Sequence, residues 1–200
     1  MQQQQQSQQS QGSWTPIEDA KSAFSLLAFA SQVIAHPVEV FLRTGFGSQY
    51  FGIASLVAFF AVPMWMVFFP TESPVGIWCF WLLYIAMQVR ARIETARLKS
   101  KGEVIHSRYN GWPRLAKAFK SLPESRVKAA IEPLAVFLCA LAVMQGSVPL
   151  ASYLIAAAFA LAFNNALIDA VERARIRELN DAMIEQQQTA ERFRAMRGEL

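Results

Sequence analysis

Cysteine, histidine and charge are all scarce in this chain. Two Cys among 200 residues cannot staple a small secreted fold. The two His, His36 and His106, offer little for metal or general-base chemistry. No HExxH, CxxC, P-loop, GxGxxG or GxSxG spacing occurs. Charged residues make up only 17 %, against 54 % apolar residues and a mean hydropathy of +0.22, above the usual range of soluble chains. These shortages exclude a collagen-like chain and a disulfide scaffold, and they argue against a soluble enzyme. A net charge of +4 is compatible with nucleic-acid binding. The charges, however, flank long apolar blocks, which points to a membrane.

What is present is a set of apolar runs. Tyr50 to Phe69 has twenty residues without a charge, enough for a helix of ~30 Å, the thickness of the hydrocarbon layer. Pro63 lies inside it and predicts a kink, which packed neighbours tolerate. After Pro70-Thr71-Glu72-Ser73-Pro74 a second run spans Val75 to Val89, and its helical pattern continues to about Ser100. The short turn makes these two an antiparallel hairpin. A third run, Ala129 to Gln145, carries Glu132 near its start, with Pro133 in or near its first turns. A fourth, Ala-rich, covers Val148 to Ile168, joined to the third by Gln145-Gly146-Ser147.

The expected fold is therefore an all-α polytopic membrane protein with four transmembrane helices in two antiparallel hairpins. An N-terminal interfacial helix and a long cytoplasmic C-terminal helix complete it. The segments are 1–16 (a Gln-rich disordered tail), 17–49 (interfacial, amphipathic), 50–100 (first hairpin with a cytoplasmic extension), 101–128 (a basic loop), 129–168 (second hairpin) and 169–200 (a C-terminal helix). The tail cannot bury enough apolar surface to offset its ordering entropy.

Charge placement sets the orientation. All 19 Lys and Arg fall outside the two hairpin tips. Lys21 and Arg43 precede the first run, eleven lie between Arg90 and Lys128, and six follow the fourth run. The Lys/Arg bias predicts tips outside, with the central loop and C-terminus in the cytoplasm. The expected location is the plasma membrane of a bacterium. Within Ser22–Leu42 the apolar core AFSLLAFASQVIA has 13 residues, fitting an interfacial or re-entrant helix better than a span. His36, Pro37 and Glu39 follow it, and each charged group buried in crossing costs roughly 2–3 kcal/mol. No Lys or Arg precedes residue 21 and no small-residue cleavage site appears, so a signal peptide is not expected.

The central loop carries the densest pattern. Asn110-Gly111 is a turn signal. Arg114 to Lys120 sets Leu115, Ala118, Phe119 and Leu122 against Arg114, Lys117 and Lys120, with Trp112 alongside and Arg108 upstream. Cations with one aromatic face suit an anionic bilayer surface, each contributing ~1 kcal/mol, so Arg108, Trp112, Arg114, Lys117, Phe119 and Lys120 are the candidate membrane-surface or partner contacts. His106-Ser107 is no catalytic pair, because adjacent side chains point apart.

Between Asp169 and Arg197 there is neither Pro nor Gly, which predicts one helix continuing from the fourth run. Ile176, Leu179, Met183, Gln186, Ala190 and Phe193 recur at 3,4 spacing, a short pairing seam weakened by Gln186 and Ala190. It would lie against Arg90–Ser100 or pair with another copy.

Polar groups inside the runs are few: Gln88, Glu132, Asn164 and Asn165, with Asp169 one turn further. All sit at one level and form a candidate hydrogen-bonded cluster worth about 0.6 kcal/mol per bond. Cys79 and Cys139 read as small packing residues. Small residues recur on the fourth run (Ser152, Ala156, Ala160; Ala158, Ala162), which predicts close packing of the third and fourth helices.

The function these features support is a small membrane structural or assembly subunit, not an enzyme and without cofactor or metal. It would engage a partner through the basic loop and C-terminal helix. Its expected partners are the lipid bilayer and a homo-oligomer or larger membrane complex, with no nucleic acid and no identifiable small-molecule substrate. The alternative is a pore-forming or transporter subunit that uses the polar cluster.

Overall fold

The computed structural model describes residues 16–47, 50–101, 109–119 and 121–197, with side chains from residue 21 onward except that of Ala195. Residues 1–15, His106, Arg108 and Lys120 lie outside the described residues, so the tail and these two loop cations have no structural counterpart below.

The described chain is mostly helical. Helix α1 spans Pro16–Leu42 and runs into a two-residue strand, β1, Arg43–Thr44. Helix α2 covers Ile53–Met64 and tightens into a 3₁₀ turn, Trp65–Phe68. Pro63 has no N–H for the Phe59 carbonyl one turn earlier, and Trp81 Nε1 donates to that carbonyl instead at 2.8 Å. Helix α3, Val75–Ser100, begins right after Pro74 and keeps going past the apolar run. Strand β2, Trp112–Pro113, pairs antiparallel with β1, Arg43 opposite Pro113 and Thr44 opposite Trp112. A short turn α4, Glu124–Arg126, leads into a π stretch, Val127–Ile131, and helix α5, Glu132–Val143. The π stretch lies directly upstream of Pro133, whose missing donor disturbs the i→i−4 pattern there. Helix α6 is a single element from Val148 to Arg197, 50 residues long.

Among the described residues, two helical stretches are long and apolar enough to cross a membrane: Lys21–Leu42 and Val148–Arg194. Ile53–Phe68 is apolar but shorter, and the third run is divided between the π stretch and α5 near Pro133.

The expectation of a surface-lying N-terminal helix is corrected. Residues 21–27 of α1 are exposed, but its second half is buried among α2, α3 and α6. Ala35 and Val38 join Val62, Ile77, Val136 and Ala140 in the main core, and Val33 packs with Ala54 and Ala58. The physical reason is that Glu39, which seemed to forbid burial, bonds to Arg43 and Tyr50 inside, and His36 stacks on the Tyr50 ring. Ser31 and Arg43, at opposite ends of that buried half, bond to the consecutive residues Asn164 and Asn165 of α6. Between them the Ile34 carbonyl accepts from Tyr153 Oη at 3.0 Å, so α1 is held to α6 at three points.

Helices α5 and α6 pack closely, with Val136 and Ala140 against Ala157, Ala158 and Leu161. Ala and Val there let the backbones approach. Cys79 and Cys139 are exposed free thiols rather than packing residues, because the sides of α3 and α5 that carry them face away from the bundle. Tyr84, inside the second apolar run, is fully buried and donates to the Ser55 carbonyl.

At the far end from the loop the two hairpin tips touch. A Cβ on Gly76 would come within 2.4 Å of Ser147 Oγ and 2.8 Å of its Cβ. At the near end Gly111 adopts φ +84, and a Cβ there would stand 3.0 Å from Arg43 Cβ, from Phe46 and from the Thr44 carbonyl. Only glycine allows both that backbone and that approach, so the central loop docks on β1 through Gly111.

Candidate functional site: a buried arginine clamp and its cleft

The most densely bonded site is built on Arg43, the first residue after α1. Its side chain is fully buried. Nε and Nη2 donate to Glu132 Oε2 at 2.9 and 2.6 Å, Nη1 donates to Glu39 Oε1 at 3.1 Å, and Nη2 also reaches Asn165 Oδ1 at 3.1 Å. Glu39 lies one turn earlier on α1, so Arg43 bends back along its own helix and across to α5 and α6 together. Asn165 in turn donates to the Lys128 carbonyl, within the π stretch, at 2.5 Å. The Tyr50 hydroxyl donates to Glu39 Oε2, and the Tyr50 ring stacks between His36 and Phe46, with centroids 4.9 and 4.5 Å away.

Two carboxylates share one guanidinium, and Glu132 Oε1 is buried with no hydrogen-bond partner among the described residues, as is His36 Nε2. An ion pair withdrawn from water repays its desolvation only with good geometry and further hydrogen bonds. Two N–H groups converging on Glu132 Oε2 supply the first, and Asn165 and Tyr50 supply the second. Burial alone would lower the Arg43 pKa, but Glu39 and Glu132 outweigh it and raise the pKa above its ordinary value, so the cation is fixed.

The central loop closes over this clamp. Arg114 Nε donates to the Arg43 carbonyl at 3.3 Å, and Gly47 N–H donates to the Tyr109 carbonyl at 2.8 Å. Outside lies a cleft of about 640 Å³ lined by Tyr109, Glu124, Lys128, Asn165, Asp169 and Glu172, among others. Lys128 Nζ pairs with Glu124 at 2.6 Å, donates to Asn110 Oδ1 at 2.9 Å and stands 4.8 Å above the Tyr109 ring. Burial lowers the Lys128 pKa, and its bond to Glu124 only partly restores it. Burial would raise Glu124, but hydrogen bonds from Lys128 and Tyr109 hold it below the ordinary carboxylate value. Tyr109 is pushed up, first by burial and then by its bond to Glu124.

The candidate polar cluster divides into four. Glu132 and Asn165 meet through Arg43. Asn164 turns the other way and accepts from Ser31 Oγ at 2.6 Å. Gln88 is not part of the group: it donates to Ser55 Oγ, between α3 and α2. Asp169 sits on the cleft wall, 4.0 Å from Arg173. Sequence reasoning missed Arg43, Glu39 and Tyr50. The available signal was the i,i+4 spacing of Glu39 and Arg43, on the side of α1 that also carries His36 and Val40.

Of the candidate surface residues, Trp112, Lys117 and Phe119 are exposed, and Arg114 is half-buried and committed to the Arg43 carbonyl. The stretch from Arg114 is a 3₁₀ turn, Arg114–Lys117. All six seam residues, Ile176, Leu179, Met183, Gln186, Ala190 and Phe193, are exposed on α6. The seam does not lie against the α3 extension in this single chain.

Among the described residues no group of three or more His, Cys, Asp or Glu is placed to hold a metal ion. No protein-family model matches the chain, and neither a curated protein nor a solved structure shows significant similarity to it.

Proposed function

We propose that the chain is a small integral membrane assembly subunit, with four spans in two hairpins, α1 packed among them, and both tips on the outer side of the plasma membrane. Its working surface is the cytoplasmic part of α6 together with the basic central loop. The observation that carries this reading is the unbroken α6. About one half of the helix is anchored in the core through Tyr153, Ala157 and Leu161, and the remainder leaves with Ile176, Leu179, Met183 and Phe193 exposed. A helix rooted so firmly presents its apolar face at little further ordering cost. The Arg43 clamp supports the same reading, because it holds the loop beside the point where α6 leaves the bundle.

Removing 175–200 tests the proposal. The truncated chain should insert into membranes as the full chain does and lose its co-purifying, cross-linkable partner, whether a second copy or another membrane protein. Retention of that partner overturns the reading. A second reading, a subunit of a pore or transporter, draws on the unpartnered Glu132 Oε1. It requires that Glu132→Ala with Asp169→Ala abolish flux in proteoliposomes. The Arg43 guanidinium seated on Glu132 weighs against it.

A further inference from the structure

A second cleft, of about 300 Å³, runs between α2 and α3 on the outside of the bundle. Leu56, Phe60, Ile85 and Val89 form apolar walls, and the buried Gln88–Ser55 hydrogen bond forms the floor. Its mouth is marked by Arg92. This residue lies just past the charge-free run that ends at Val89, at the level where α2 begins, since its guanidinium stands 5.5 Å over the Phe51 ring. Arg92 is exposed and makes no ion pair among the described residues, and Arg90 beside it is exposed as well. A groove with oily walls and a free cation at its polar rim is complementary to one kind of molecule: an acyl chain that ends in an anionic headgroup.

We propose that this cleft seats one acyl chain of an anionic phospholipid whose headgroup pairs with Arg92. The volume holds part of one chain, leaving the rest of the lipid in the bilayer. Phe51 positions the guanidinium by cation–π contact without neutralising it, and Gln88 is kept from the lipid by its bond to Ser55. The site rests on the reading that α2 and α3 lie in a membrane.

The test uses the full chain. It is extracted in neutral detergent, offered phosphatidylglycerol or phosphatidylcholine, and examined by native mass spectrometry. One phosphatidylglycerol should be retained about fivefold better than phosphatidylcholine, the ratio expected for one basic group at an anionic surface. Arg92→Gln should erase that preference. Val89→Trp, which fills the groove, should remove the retained lipid of both kinds. Lys99→Gln, an exposed cation further along α3 and outside the cleft, should leave the preference intact. Equal retention of the two lipids by the native chain, persistence of the preference in Arg92→Gln, or its equal loss in Lys99→Gln overturns the proposal. A parallel alkaline-carbonate wash separates the two failures. A chain released by carbonate refutes the membrane reading itself, whereas a chain that stays with the membrane but shows no preference refutes only the lipid site.

Discussion

Replacing Arg43 by Met tests the clamp directly. Met preserves much of the buried volume but removes the charge and every donor. Two carboxylates then remain in the interior: Glu132, which loses both of its donors from Arg43, and Glu39, which keeps only Tyr50. Stranding one partner of a buried ion pair costs about 3–5 kcal/mol. For a chain of this size each kcal/mol moves the unfolding midpoint by about 2–4 °C, so the midpoint should fall by roughly 6–20 °C. Tryptophan fluorescence of the detergent-solubilised protein follows the transition, since Trp65 and Trp81 are both packed against the main core. The decisive comparison is the triple variant Arg43→Met, Glu39→Gln, Glu132→Leu. It removes the stranded charges, and well-packed apolar replacements of buried ion pairs are often neutral or stabilising. It should recover most of the loss. A single variant that unfolds within a degree or two of the native chain, or a triple variant no better than the single, refutes the claim that Arg43 neutralises both acids.

Three further outcomes follow from other contacts. Gly76→Ala forces a Cβ onto Ser147 and should cost about 1–3 kcal/mol of stability by overpacking; thermal unfolding of Gly76→Ala with Ser147→Gly should return it close to the native value, because the obstruction is that side chain. Gly111→Ala should release the central loop, since φ +84 and three approaches of 3.0 Å leave no place for a methyl group; faster hydrogen exchange at the Gly47 N–H, which bonds to Tyr109, reports it. The Glu124 carboxyl titrates below its ordinary 4.5 in the folded chain, so its contribution is complete above that value and is lost as pH falls through the lowered folded value. Unfolding midpoints measured down the acid range should therefore fall less steeply for Glu124→Gln than for the native chain.

Much of this architecture is legible in the residues. The unbroken course of α6 follows from the absence of Pro and Gly between Pro149 and Arg197, and the run of α3 beyond its apolar part follows from sustained helix formers to Ser100. The tight α5–α6 pair follows from small residues at regular spacing. The clamp was half legible. Glu132 and Asn165 stand out as polar groups in apolar runs, but Arg43 looks like any loop cation, and its acid partner is 89 positions away. Pairing across that distance leaves no local periodicity. The same gap misplaced α1: His36 and Glu39 argue for the surface only while Tyr50 and Arg43 are unknown. Gln88 was grouped with Glu132 because depth along a helix can be read from sequence, whereas the direction a side chain points around the bundle cannot.

The length of α6 has a consequence beyond docking. Fifty residues at ~1.5 Å each make a rod of ~75 Å, with no hinge from the Gly146-Ser147 tip to its far end. Its root touches Gly76 at the tip, α1 through Asn164, and the guanidinium through Asn165. A tilt or twist imposed at any of these three points travels to Phe193 undiminished, because no intervening joint can absorb it. Such a shaft reports the state of the bundle at a distance, and whatever grips its far end feels movements that begin at the hairpin tips.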